Sequence, residues 1–145
     1  DTDLEILIPE NYVSSISERI NLYKELNNFT TEKEIACFLE RLKDRFGNIP
    51  NCMNNIFDAL RLRWFAKKIG FERIILKNNK MLAYFPLKSN SEYYNSHVFQ
   101  KVLEYLKQNF ENCKITEKKD KLSIIIKNIY NLKEALRICK NILNV

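Results

Sequence analysis

Asp44-Arg45-Phe46-Gly47-Asn48-Ile49-Pro50 joins two helical patterns, and the predicted fold is organised around this junction. Before the junction, apolar residues recur at i, i+3, i+4, i+7 and i+11, which is one stripe on a helix: Ile35, Phe38, Leu39, Leu42 and Phe46. Gly47 follows where a helix end needs a residue that tolerates positive φ, and Pro50 suits the first turn of a new helix. The sequence therefore predicts one helix that ends at Phe46 and another that begins near residue 51.

The second of these helices is the central element of the predicted fold. It runs from about residue 51 to Ile69, and Gly70 ends it. Its large apolar residues cover more than one face: Met53, Ile56, Phe57, Leu60, Leu62, Trp64, Phe65 and Ile69. Because each such side chain contributes roughly 1.5–3 kcal/mol when buried, we expect the other elements to pack around this helix.

Shorter patterns precede the junction. Residues 4–8 predict a short strand that Pro9 ends. Ser14 or Ser15 is placed to cap a helix that runs to about residue 27. The apolar residues near one face of this helix are Ile16, Ile20, Tyr23 and Leu26.

Two capping signals mark further helix starts. Thr31 with Glu34 has the capping-box spacing, in which the hydroxyl accepts from a backbone N–H and the carboxylate reaches back. Asn131 with Glu134 has the same spacing before the last helix. The apolar stripe of that last helix is Leu132, Ala135, Leu136, Cys139, Ile142 and Leu143.

After Gly70 the period changes from helix to strand. Residues 71–77 and 81–85 predict a hairpin that turns at Asn78-Asn79, because asparagine tolerates the left-handed conformation of tight hairpins. Residues 113–118 and 121–127 predict a second hairpin. A helix from about residue 92 to 110 separates them, with an apolar face of Phe99, Val102, Leu103, Leu106 and Phe110.

The element order predicts an α+β fold. An N-terminal strand and a three-helix region are followed by two hairpins that form one antiparallel sheet, and each hairpin is followed by a helix. The length of 145 residues suits a single domain over 1–145. Because the chain begins with Asp1 rather than Met, we expect it to be a piece of a longer protein.

Composition narrows the function classes. Residues 1–50 carry a net charge of −4 and residues 51–145 carry +10, so the second part should prefer an acidic partner, either nucleic acid or an acidic protein face. Two glycines are too few for a phosphate-binding loop, and one histidine, His97, rules out histidine-pair zinc motifs. We expect no enzyme, no cofactor and no metal in this segment.

The cysteines and the apolar runs indicate a compartment. Four cysteines lie far apart, at Cys37, Cys52, Cys113 and Cys139, and no secretory signal precedes them. Such spacing favours free thiols in a reducing compartment, so we expect a cytoplasmic protein. No run approaches the ~18 apolar residues of a membrane span.

Three charged clusters are candidate contact surfaces. On a helical wheel the side opposite the Ile35 stripe holds Glu40, Arg41 and Asp44, with Arg45 at its flank. This side is either a solvated face with local ion pairs such as Arg41–Asp44, or a docking surface for another domain.

The second cluster is Arg61, Arg63, Lys67 and Lys68, which either snorkel along a buried helix or bind an anionic partner. The third comprises lysines of the second hairpin, which either prevent edge pairing or bind anions: Lys114, Lys118, Lys119, Lys121 and Lys127.

An ordered set of motifs resembles one family. The set is Ile8-Pro9-Glu10-Asn11-Tyr12, Arg19, Tyr23-Lys24-Glu25-Leu26, the junction 44–50, and Arg61-Leu62-Arg63 through Ala66-Lys67-Lys68-Ile69-Gly70. Over residues 4–76 the chain looks like the C-terminal domain of the bacterial transcription-repair coupling factor. Beyond residue 76 only the order of elements is similar.

The resemblance implies a regulatory role without catalysis. Members of this family are ATP-driven double-stranded DNA translocases, with ATP and Mg²⁺ bound elsewhere, that displace stalled RNA polymerase and recruit nucleotide excision repair through UvrA. The C-terminal domain packs on the UvrB-like N-terminal module of the same protein and masks its UvrA-binding surface. The contact uses the charged helix end, which implies roles for Asp44 and Arg45. The family often has an acidic residue where this chain has Arg41, with Glu40 beside it.

Two alternatives to this docking role stay open from the sequence. A basic nucleic-acid-binding module would bind DNA through the second part of the chain, with an affinity that falls steeply with salt. An independent enzyme would need a cleft with shifted carboxylates, which no motif of the sequence indicates.

Overall fold

The structure, a computed structural model, describes residues 1–145. The prediction of an α+β fold is confirmed, since six helices accompany one four-stranded antiparallel sheet. The elements are α1 (Ile16–Asn27), α2 (Glu32–Phe46), a 3₁₀ turn (Asn51–Met53), α3 (Asn54–Ile69), β1 (Arg73–Lys77), β2 (Lys80–Tyr84), α4 (Ser91–Tyr94), α5 (His97–Gln108), β3 (Cys113–Lys118), β4 (Lys121–Lys127) and α6 (Leu132–Leu143).

The chain forms two compact units. Glu5–Arg61 is the N-terminal unit, and residues 1–4 together with 62–145 are the C-terminal unit, so the division falls within α3. A single domain over 1–145 stays a prediction.

Local capping determines the helix limits in the N-terminal unit. The Ser15 hydroxyl accepts from the Glu18 N–H, and the Thr31 hydroxyl accepts from the Glu34 N–H at 3.2 Å. Glu34 Oε1 reaches back to the Thr30 N–H at 3.3 Å, and this bond lowers the pKa of the Glu34 carboxyl. The predicted hydroxyl bond of the capping box thus forms, while the carboxylate reaches one residue further back than the cap, to Thr30. Gly47 ends α2 at φ 89°, where its missing Cβ removes the steric penalty.

The core of the N-terminal unit follows the α2 stripe. Ile35, Phe38 and Leu42 are buried, and the Phe38 ring meets those of Phe29 and Phe57 edge-on at 5.4 and 6.3 Å. Such edge-to-face pairs add roughly 0.5–1.5 kcal/mol each beyond area burial.

The predicted apolar face of α1 is wrong in part. Ile16 and Ile20 are 66% and 48% exposed, whereas Leu22 and Leu26 are the buried residues of this helix. Aliphatic residues lie on both sides of α1, so periodicity alone does not identify the buried side.

Both hairpins form where the sequence predicts them, and they join through β2 and β4 into the strand order β1-β2-β4-β3. Asn78 and Asn79 turn the first hairpin at φ 55° and 58°, and Lys119 turns the second at φ 56°. The inner face of the sheet is apolar and buried, with Leu76, Met81, Ala83, Ile124 and Ile126.

The strand predicted at residues 4–8 is not a strand in the structure. Instead, Thr2 bridges Leu76 in parallel, and the Asp3 N–H donates to the Leu76 carbonyl at 3.1 Å. Because β1 ends at Lys77, a parallel neighbour has no ladder to continue on beyond Asp3. The Asp3 carboxylate then accepts from the Asn78 N–H in the hairpin turn.

The helix predicted over 92–110 is divided in two. Ser96 lies between α4 and α5, and its hydroxyl accepts from the Phe99 N–H at 3.2 Å, which starts a new helix. The buried side of α5 is Phe99, Val102 and Tyr105, while Leu103 and Phe110 are exposed.

An aromatic cluster follows the end of α3 in the C-terminal unit. Phe85 is fully buried and meets Phe71 and Phe99 edge-on at 5.3 and 5.9 Å. Gly70 has φ +98°, and a Cβ placed there would overlap the Tyr93 ring. The Tyr93 hydroxyl donates to the Ile69 carbonyl at 2.8 Å, which holds that ring against the helix end.

Candidate functional site

The outward side of α2 carries the predicted docking residues. Glu40, Arg41, Asp44 and Arg45 are all exposed, as the helical wheel predicts. They lie on the side of α2 away from Ile35, so the packing of the core does not constrain their side chains.

Two glutamates of α1 hold the arginines of this surface. Arg45 Nη2 donates to Glu18 Oε1 at 2.9 Å, and its guanidinium lies 4.8 Å from the Phe46 ring centroid. Arg41 pairs with Glu25, and this bond raises the pKa of the Arg41 guanidinium. The predicted Arg41–Asp44 pair does not form, because the Arg41 side chain turns towards α1.

Sequence reasoning missed both glutamates, which lie 16 and 27 residues from their partners. The i, i+7 spacing of Glu18 and Glu25 places them on one face of α1, and this is the signal that points to them. Ion pairs between exposed side chains contribute little to stability, about 0.2–1 kcal/mol each. Their main effect here is to orient the two guanidinium groups.

The two acids of the surface have no partner within the chain. Neither Asp44 nor Glu40 forms an ion pair, and the two carboxylates are i, i+4 neighbours on α2. Like charges at this spacing destabilise a helix by about 0.2–0.5 kcal/mol. Asp44 also lies in the last turn of α2, where the helix dipole disfavours an anion. Asp44 is therefore unfavourably placed in the isolated chain, whereas Glu40 also has Lys43 at the favourable i, i+3 spacing.

A groove of about 210 Å³ lies beside these residues, and we name it the α1–α2 groove. It is lined by Leu22, Phe38, Arg41, Leu42, Asp44, Arg45 and Phe46. Apolar side chains form part of its wall, and charged groups stand at its rim. Such a groove can accept an apolar side chain while the rim pairs with charges on the same partner.

Tyr12 fixes the C-terminal end of α2. Its hydroxyl donates to the Gly47 carbonyl at 2.8 Å and lies 3.3 Å from the Leu42 carbonyl oxygen. Its ring packs 5.7 Å from that of Phe46, and burial raises the pKa of the Tyr12 hydroxyl. The helix end that carries Asp44 is thus held by a residue 32 positions earlier in the chain.

The second basic cluster is not one site. Arg61 is bound within the N-terminal unit, since its Nε and Nη2 reach the Glu32 carboxylate at 2.6 and 3.0 Å and its Nη1 reaches Asp58 Oδ1 at 3.0 Å. The Glu32 bond raises the pKa of the Arg61 guanidinium. The sequence left open the hypothesis that Arg61 binds an anionic partner. Because its guanidinium is already bound to two carboxylates of the chain, this geometry does not support that hypothesis.

The other members of that cluster belong to the C-terminal unit. Arg63, Lys67 and Lys68 are exposed, and Lys68 Nζ lies 5.5 Å from the Phe65 ring centroid. Their role as contacts for an anionic partner stays a prediction.

The thiols are free, as predicted, and differ in exposure. Cys37 and Cys52 are exposed, whereas Cys139 is buried, and burial raises the pKa of its thiol to about 12. His97 is exposed at the first position of α5. No group of three or more potential ligands is arranged to hold a metal ion, and no helix has the length and apolar character needed to cross a membrane.

Comparisons with known proteins agree on one family. The model of the TRCF domain matches residues 2–96. The transcription-repair-coupling factor of Rickettsia bellii is 28% identical over 126 residues, which cover 87% of this chain and 10% of that protein. That of Borreliella burgdorferi is 30% identical over 136 residues, 88% of this chain and 12% of that protein. The chain therefore spans about a tenth of the length of these relatives.

A solved structure has the same fold. The crystal structure of the C-terminal domain of a transcription-repair coupling factor aligns with a TM-score of 0.73 and 19% sequence identity. The alignment covers 99% of this chain and 91% of that one.

Proposed function

The chain belongs to the TRCF domain family, and from this membership we propose that it is an autoinhibitory docking domain of a transcription-repair coupling factor. In this proposal the outward side of α2 binds the UvrB-like N-terminal module of the same protein. Docking covers the surface through which that module binds UvrA, so the resting protein does not recruit excision repair.

The unpaired Asp44 is the observation that carries the proposal. An exposed anion in the last turn of a helix works against the helix dipole, and Glu40 four residues earlier adds repulsion. Neither charge is neutralised within the chain. A cationic side chain on a partner would neutralise Asp44, which would account for an anion at a position unfavourable for folding.

The arginines supply the second part of the docking surface. Because Glu18 and Glu25 already orient Arg45 and Arg41, fewer rotamers are lost when a partner binds. The α1–α2 groove beside them offers room for one apolar side chain of the partner. We therefore expect a partner surface with arginine or lysine opposite Asp44 and an apolar side chain near Leu42.

The wider activity belongs to the parent protein and is part of the proposal. The parent would be a cytoplasmic ATP- and Mg²⁺-dependent translocase on double-stranded DNA that acts on stalled RNA polymerase and recruits UvrA. Its motor lies outside this chain, and this segment has no catalytic role. Release of the docking surface would expose the UvrA-binding module.

The test is Asp44→Arg in the full-length protein that contains this chain. The substitution places a cation in the last turn of α2, so the isolated chain should keep its melting temperature or gain slightly. Docking should weaken because two cations then face each other. We expect UvrA affinity to rise roughly tenfold, which corresponds to about 1.4 kcal/mol of lost docking free energy. The double variant Asp44→Arg/Arg45→Glu should bind UvrA at least as tightly.

Glu111→Arg is the matched control. It makes the same charge change at an exposed acid outside α2, so UvrA affinity should stay at the wild-type value. Unchanged UvrA binding and ATPase activity in both Asp44 variants would refute the docking role of this surface. An equal rise in the Glu111 control would assign the effect to net charge alone.

A further inference from the structure

The outer face of the sheet is strongly basic. Directly paired residues share a face, so the registers place six lysines and Arg73 opposite the buried side. The lysines are Lys77, Lys80, Lys114, Lys118, Lys121 and Lys127. All seven are exposed, and no aspartate or glutamate lies on this face within the four strands.

Within the four strands the cations of this outer sheet face have no anionic neighbours, although Glu72, one residue before β1, lines a surface depression with Arg73 and Lys121. Arg73 pairs with Asp1, whereas none of the six lysines forms an ion pair. Three lysine pairs are directly opposite each other across neighbouring strands, Lys77 with Lys80, Lys80 with Lys127, and Lys118 with Lys121. Like charges directly opposite destabilise a sheet, so folding alone does not account for this arrangement.

Protection of sheet edges explains only part of the pattern. Lysines on β1 and β3 can block pairing with another chain, because these are the edge strands. Lys80 on β2 and the pair Lys121 and Lys127 on β4 lie on inner strands that are already paired on both sides. Their charge therefore needs another explanation, and an external polyanion provides one.

The dimensions of the face favour a duplex. Lys121 and Lys127 are six positions apart along β4, about 20 Å at ~3.4 Å per residue, and four strands are about 14 Å wide. A nucleic-acid duplex carries one charge per ~1.7 Å, so about 12 phosphates lie along this length. An extended acidic peptide offers at most one charge per ~3.3 Å over the same distance.

The side chains also indicate which feature of the nucleic acid is bound. Single-strand binding uses several stacking aromatics, whereas Tyr84 is the only aromatic residue on this face. Base readout relies on arginine, asparagine or glutamine, and Arg73 is the only such residue here. We propose that the outer sheet face binds the phosphate backbone of duplex nucleic acid without sequence preference. This second surface is independent of the α2 docking surface.

The test titrates the 145-residue chain with a fluorescently labelled 30-base-pair DNA duplex at 50 and 200 mM NaCl. Each phosphate contact adds about −0.9 to the slope of log K against log salt, so six contacts predict a loss of roughly 10³-fold between these concentrations. The variant Lys77→Gln/Lys80→Gln/Lys127→Gln removes one row of three lysines. We expect the slope of this variant to be less negative by about 2.7. Its DNA affinity should therefore fall only about 40-fold between 50 and 200 mM NaCl.

The control variant Lys33→Gln/Lys107→Gln/Lys133→Gln removes the same charge from exposed helix positions. It should keep the wild-type slope, and both variants should melt no lower than the wild type. The proposal would be overturned if the chain did not bind the duplex at 50 mM salt. It would also be overturned if both variants changed the salt slope of binding by the same amount. Stronger competition by poly-glutamate than by unlabelled duplex would also overturn it and indicate an acidic protein partner. Tighter binding of a single strand of the same length would exclude the duplex preference.

Discussion

Replacement of Arg61 by methionine should destabilise the N-terminal unit through Asp58. The Asp58 side chain is 8% exposed, Arg61 Nη1 donates to its Oδ1 at 3.0 Å, and its Oδ2 is buried without a hydrogen-bond partner. Arg61→Met therefore leaves a buried carboxylate with no counterion. The same guanidinium also binds the exposed Glu32, so two contacts of different value are lost together.

The magnitude follows from the burial of each partner. Loss of one member of a buried pair costs about 3–5 kcal/mol, and since Arg61 is itself 30% exposed we take the low end, about 3 kcal/mol. The Glu32 contact adds less than ~1 kcal/mol, because that side chain is 63% exposed. The expected free-energy loss is therefore roughly 3–4 kcal/mol, a large share of the 5–15 kcal/mol typical of a folded protein.

The second substitution Asp58→Leu should largely restore stability. With no charge left to bury, the variant Arg61→Met/Asp58→Leu should unfold within about 1 kcal/mol of the wild type, as found when buried ion pairs become apolar. The coupling energy between the two positions is then roughly 2–3 kcal/mol. Urea denaturation measures it, provided that the slope m is unchanged.

Glu32→Gln serves as the control and should cost no more than ~1 kcal/mol, because it removes only the exposed contact. Additive effects of Arg61→Met and Asp58→Leu would refute the reasoning. So would a loss below ~1 kcal/mol for Arg61→Met alone, because the buried carboxylate would then not depend on this arginine.

Two further predictions concern the anchoring tyrosine and the thiols. Tyr12→Phe removes the hydroxyl that binds the last carbonyls of α2, so it should cost about 0.5–1.5 kcal/mol in urea denaturation. Tyr130→Phe removes only a solvent-exposed hydrogen bond to Asn128 and should cost clearly less. Equal values for the two variants would contradict this prediction. At pH 8, Cys37 and Cys52 should react with a thiol reagent in the native protein. Cys139 should react only on unfolding, because it is buried and burial raises the pKa of its thiol to about 12. Rapid labelling of all thiols in native buffer would refute the burial of Cys139.

Local signals made much of the fold predictable. The bond from the Glu34 N–H to the Thr31 hydroxyl and the turn Asn78-Asn79 depend only on residues within four positions of each other, and both form as expected. The family resemblance is confirmed by the match over residues 2–96. Local rules also identify Gly47 as the end of α2, because few other residues adopt its backbone conformation without strain.

Features that depend on tertiary contacts, such as helix breaks, buried faces and strand pairing, were not predictable from these local signals. Ser96 caps α5, yet a serine within a helical pattern is equally compatible with an unbroken helix. Phe99 and Val102 are buried as the stripe predicts, but Tyr105 is buried instead of Leu103, because tertiary packing decides which flank of the stripe is covered. The strand at residues 4–8 fails for a similar reason, since pairing depends on where β1 ends.

The candidate site was predictable on one side only. Asp44 faces outward because the stripe of Ile35 and Phe38 defines the inner side of α2 by period alone. The pairing of Arg45 with Glu18 depends on how α1 lies against α2, which a single-helix wheel does not contain.

The crowding of Gly70 by Tyr93 has an evolutionary consequence. Any side chain at position 70 would meet both an unfavourable backbone angle and the tyrosine ring, so position 70 cannot change freely while Tyr93 is retained. A lineage that replaces the glycine must first shrink the ring at position 93, and in doing so it gives up the hydroxyl that binds the Ile69 carbonyl. In related sequences that keep this helix end and a large aromatic residue at position 93, we expect glycine at position 70.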